Sequence, residues 1–202
     1  MDSYYYRYNT VKGIKFIALG LLFMFLDFNI VSDSFYIDIL PDAVGLLLIL
    51  MSIRFLEGYV KNPIGLRVLI FILLLEDIGE WAYTISAGNS GSDVRFVYFL
   101  VSLVYAFLYY RILTAMIHVA EDFNSLREKN IRILRTMMII IQFAIALLSL
   151  SSPEDSSEWT LLVVFVGVAV TIANIIVLFG LKKDVENAPA LFFAEVEGAE
   201  KT

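Results

Sequence analysis

Three acids interrupt an apolar run where a membrane helix should carry none: Glu76, Asp77 and Glu80 follow directly on Leu73-Leu74-Leu75. Glu76 and Glu80 are four residues apart and share a helix face, and Asp77 and Glu80 are three apart. Asp27 and Asn29 stand in Phe25-Leu26-Asp27-Phe28-Asn29, and Asp38 in Ile37-Asp38-Ile39-Leu40-Pro41-Asp42. If the helices carrying them meet, Asp27, Asn29, Asp38, Glu76, Asp77 and Glu80 converge on one outward-facing cavity. Carboxylates so placed attract a proton, a metal cation or an organic amine. Asp42 has a simpler explanation as an acid in the first turn of a helix, after Pro41. A structural use for the acids competes with the cavity. Arg111, in Tyr109-Tyr110-Arg111, can rise to form an ion pair with Glu76 or snorkel to the inner surface.

Other chemistry is excluded by composition. The chain has no Cys and one His, His118, which removes thiolate nucleophiles, disulfides and multi-histidine metal centres. There is no Gly-rich phosphate loop, no H-E-x-x-H and no G-x-S-x-G. No catalytic residue, structural metal or cofactor is expected, and the chain does not read as an enzyme. A net charge of -6 leaves no basic face for nucleic acid.

The elements that must position the acids are apolar. Of 202 residues 59% are hydrophobic, and the mean hydropathy is +0.78. A small water-soluble domain cannot hide that excess. The fold class expected is an all-α polytopic membrane bundle of six transmembrane helices, at about 14–31, 36–57, 64–86, 95–119, 131–151 and 159–181. Residues 1–183 form this single domain, the first run being an uncleaved span, and 184–202 a polar cytoplasmic tail. With both ends cytoplasmic, 14 of the 15 Lys and Arg face inward and only Arg95 faces out. Eleven of the 21 acids then lie in the outer half. On this topology Glu76 sits about 15 Å below the outer end of its span and Arg111 about 24 Å below the end of its own.

Local signals fill in the remainder. Asn62-Pro63 and Asn89-Ser90-Gly91-Ser92-Asp93 read as connections. Ser125-Leu126-Arg127-Glu128 has the spacing of a capping box for the fifth helix. Asn174 is expected to bond across helices, and His118 to sit near the inner interface. Arg127, Lys129, Arg132 and Arg135 suit anionic lipid headgroups. The expected partners are thus the lipid bilayer, anionic lipid at Arg127–Arg135, and another membrane protein.

Asp38-Ile39-Leu40-Pro41-Asp42-Ala43-Val44-Gly45 resembles a D-I-L-P-D-x-x-G motif of small multi-pass membrane proteins of Firmicutes. The resemblance covers about a dozen residues. It implies a bacterial plasma membrane and no particular activity. Size and span number are also similar to the substrate-binding subunits of energy-coupling-factor vitamin transporters, although the Gly-Pro usual there is missing. That second resemblance implies a small transporter or substrate-capture subunit, the alternative to a non-enzymatic role.

Overall fold

The computed structural model describes residues 3–25, 29–32, 35–38, 42–87, 95–150 and 157–188. Among these are six helices: α1 (Ser3–Phe25), α2 (Asp42–Phe55), α3 (Pro63–Ala87), α4 (Arg95–Asp122), α5 (Glu128–Ser149) and α6 (Ser157–Asn187). Four segments are long and apolar enough to cross a membrane: Tyr5–Phe25, Phe96–Asp122, Glu128–Ser149 and Trp159–Asn187. The helices close into a ring, each packing against the next in chain order and α6 returning to α1. Ile14, Leu46, Ile49, Ile70, Leu108, Met116 and Leu178 fill its centre.

The first two expected spans differ from the observed elements. Helix α1 is described as far as Phe25 and Asn29 lies in a strand, and residues 36–38 are likewise strand rather than the start of α2. Strands β1 (Asn29–Ser32) and β2 (Phe35–Asp38) pair antiparallel in their place, so the chain is not purely helical. The cause is local. Ile30, Val31, Phe35, Tyr36 and Ile37 are β-branched or aromatic, and Pro41 disfavours helical backbone in the residue before it. Strand β2 packs against α3.

Helix α2 is consequently only 14 residues, about 21 Å long, against a hydrocarbon thickness of roughly 30 Å. It is anchored by an unusually close crossing with α1. A Cβ on Gly45 would lie 2.6 Å from the carbonyl oxygen of Gly20, and one on Gly20 would lie 2.8 Å from that of Gly45. Only a residue without a side chain fits either position, the device by which small residues bring membrane helices together.

The connections are tied by side chains. Asn62 adopts a left-handed φ of 55°, and its Oδ1 accepts the N–H of Gly65 at 3.0 Å, capping α3. The capping box expected at Ser125 does not form. The residue before α5 is Arg127, with no side-chain cap; Ser125 Oγ accepts the N–H of Arg127 at 3.2 Å rather than that of Glu128, and donates to Asp184 Oδ2 of α6 at 2.6 Å. Arg127 Nε donates to the same oxygen at 3.1 Å. The Ser125 hydroxyl thus both donates and accepts, which its one proton and two lone pairs allow. Asn174, expected to bond between helices, bonds within α6, donating to Val170 O at 3.1 Å.

Candidate functional site: an acid–tyrosine cluster at the buried end of a short helix

A helix that starts inside the membrane presents orphan N–H groups where no water can satisfy them. Helix α2, about 9 Å shorter than the hydrocarbon thickness, has such N–H groups in its first turn. The sequence of α3 answers them. Asp77 lies 14 residues past Pro63, about 21 Å along α3, a rise equal to the length of α2. At that level Asp77 Oδ2 accepts the N–H of Ala43 at 2.7 Å. The carboxylate is thus a cap supplied by a different helix, and it faces the positive end of the α2 dipole. Asp42 stands in the same first turn.

Helix α4 contributes the third wall. The Tyr105 hydroxyl is within electrostatic reach of Asp42, Glu76 and Asp77, and that of Tyr109 within reach of Asp42. The two rings stack with centroids 6.3 Å apart, and Tyr109 is buried. The acids of α2 and α3 and the tyrosine pair of α4 therefore lie within electrostatic range of one another. Carboxylates beside aromatic faces suit a proton or an organic ammonium group. Among the described residues no group of three or more His, Asp or Glu is arranged to hold a metal ion.

The expected site residues are distributed as follows. Glu76 and Asp77 are half-buried on α3, at the cluster. Glu80 lies one turn further along the same helix. Asn29 and Asp38 are direct partners across the hairpin, whose second strand lies on α3. Asp27 lies outside the described residues. Arg111 is elsewhere. Its Nη2 donates to Asn62 O at 3.5 Å, and its guanidinium lies over the Phe107 ring at 5.8 Å. Asn62 precedes α3, whereas Glu76 is about 20 Å further along it. The contacts Arg111 makes are thus not the expected pair with Glu76.

Asp42, Tyr105 and Tyr109 were not foreseen as site residues. The available signal was the four-residue spacing of Tyr105 and Tyr109, which places both on one face of α4. Around the α4–α5 connection, Arg127 bonds Asp184, Arg132 pairs with Glu121 and Glu128, and Arg135 donates to Thr114 Oγ1 at 2.9 Å. These guanidinium groups each have a protein partner, which leaves further N–H donors on each.

Compared with known proteins, the chain matches no family model, no curated protein and no solved structure.

Proposed function

We propose that this chain is a six-span integral protein of a bacterial plasma membrane, with both flanking segments cytoplasmic and a non-enzymatic role as an interaction or assembly partner. The observation that carries this reading is the bond from Ala43 N–H to Asp77. It assigns the most conspicuous in-membrane acid to holding a short helix in place. Four membrane-length helices and the one-sided distribution of Lys and Arg support the topology. The D-I-L-P-D-x-x-G resemblance supports the bacterial setting. The test is thermal unfolding of the purified protein against a panel of monovalent and divalent cations, organic amines and vitamins. This reading expects no specific stabilisation.

A second reading has its own observation, the stacked Tyr105 and Tyr109 rings beside Asp42 and Glu76. On this reading the protein captures an organic cation in the outer half of the membrane as a small transporter or substrate-capture subunit. Stabilisation by an amine, lost in both Glu76→Gln and Tyr105→Leu, would establish it and displace the first reading.

A further inference from the structure

At the opposite end of α2 a groove of about 650 Å³ is lined by Leu50, Met51, Arg54, Phe55, Glu57 and Arg67. Its composition is divided. Leu50, Met51 and Phe55 form an apolar wall, while Arg54 and Arg67 place two guanidinium groups at its polar end. Arg67 pairs with Glu57, leaving N–H donors that the carboxylate does not use. Arg54 is exposed and has no ion-pair partner among the described residues. The local charge is therefore one positive in excess. The apolar wall continues on exposed residues of both helices, Leu47 on α2 and Val68 and Phe71 on α3.

We propose that this groove binds an anionic glycerophospholipid carrying a single phosphodiester charge. Guanidinium forks fit phosphate oxygens in two-point contact. The acyl chains lie along Met51, Leu47 and Phe71, where surface that water would otherwise meet is covered by hydrocarbon. Free phosphate would use the guanidinium groups but not the apolar wall, and a zwitterionic lipid would use the wall but bring no net charge. The inference rests on a membrane location and not on which leaflet holds the groove. It is therefore independent of the six-span topology and of the acid cluster.

The experiment uses the full chain in a neutral detergent, titrated with short-chain phosphatidylglycerol, short-chain phosphatidylcholine or inorganic phosphate. Bound lipid is read by native mass spectrometry and stability by thermal unfolding. Phosphatidylglycerol is expected to be retained and to stabilise, and the other two are not. Arg54→Gln should weaken phosphatidylglycerol binding about tenfold, the loss of a charge-assisted contact. Glu57→Gln should strengthen it, because the competing carboxylate is gone. Arg132→Gln, on the other inner segment, should leave it unchanged. Arg54 and Glu57 are exposed, so both variants are expected to fold. Equal retention of the two lipids, stabilisation by phosphate alone, or unchanged binding in both Arg54→Gln and Glu57→Gln would overturn the proposal.

Discussion

Asp77 Oδ2 lies 2.7 Å from the backbone nitrogen of Ala43, joining the middle of α3 to the first turn of α2. The bond links two facts that are puzzling apart: an acid deep in an apolar helix, and a helix too short to cross the bilayer. Each supplies what the other lacks. The helix end offers N–H groups and a positive dipole, and the acid offers an acceptor at the matching depth.

Asp77→Ala removes that acceptor. It is expected to lower the unfolding free energy by about 1–2 kcal/mol, the range of a lost N-cap. Asp77→Asn keeps an acceptor oxygen and should cost less. Thermal unfolding in detergent measures both. An Asp77→Ala variant as stable as the parent would mean that the bond contributes nothing.

The Gly20–Gly45 crossing predicts a strong contrast among glycines. Gly45→Ala should destabilise by about 1–3 kcal/mol, because its Cβ would be forced against the Gly20 carbonyl. Gly79→Ala, on α3, meets nothing within 4 Å and should be neutral or stabilising by roughly 0.5–1 kcal/mol. Equal effects at the two positions would argue against the close approach of α1 and α2.

Both predictions bear on how much could be read before the structure. The apolar runs gave the helical class, and Asn62-Pro63 correctly marked the boundary before α3. The D-I-L-P-D-x-x-G stretch acquires physical content. Asp38 closes the second strand, Asp42 opens α2, and Gly45 admits α1. The hairpin at Asn29–Asp38 was hidden because its residues are as apolar as those of a span, so hydropathy alone does not separate strand from helix there. Asp77 as a cap could not be read locally either, since its partner is 34 residues away. Ser125 shows the reverse. Its local capping pattern was legible, and its oxygen does accept a backbone N–H, but its bond to Asp184, 59 residues on, could not be read locally.

That long-range contact makes a third prediction. Ser125 and Arg127 share one oxygen of Asp184, tying the α4–α5 turn to α6. Asp184→Ala should cost about 1–3 kcal/mol, and Ser125→Ala should cost little more once Asp184 is gone. Additive losses in the double variant would show that the two residues act separately.

Tyr59, in the connection between α2 and α3, gives a pH dependence. Its hydroxyl is buried beside Tyr6 and Asp122 and makes no hydrogen bond of good geometry among the described residues. Burial first, then the neighbouring Tyr6 and Asp122, pushes its pKa well above the usual tyrosine value. A folded-state pKa raised in this way contributes stability that is complete below pH about 10 and is lost as pH rises above it. Tyr59→Phe should be neutral or stabilising at neutral pH, because an unsatisfied group is removed. It should also flatten the alkaline loss of stability. A parent and variant that fall off identically would contradict the assignment.

The topology on which the account depends turns on whether α2, with its capped N-terminal end, crosses the membrane. The chain has no cysteine, so single cysteines can be introduced at Lys61 and at Asn89 without background. In intact cells a membrane-impermeant maleimide is expected to label Asn89→Cys and to leave Lys61→Cys unlabelled until the membrane is opened. Labelling of Lys61→Cys from outside the intact cell would place the α2–α3 connection on the outer face and contradict the six-span arrangement.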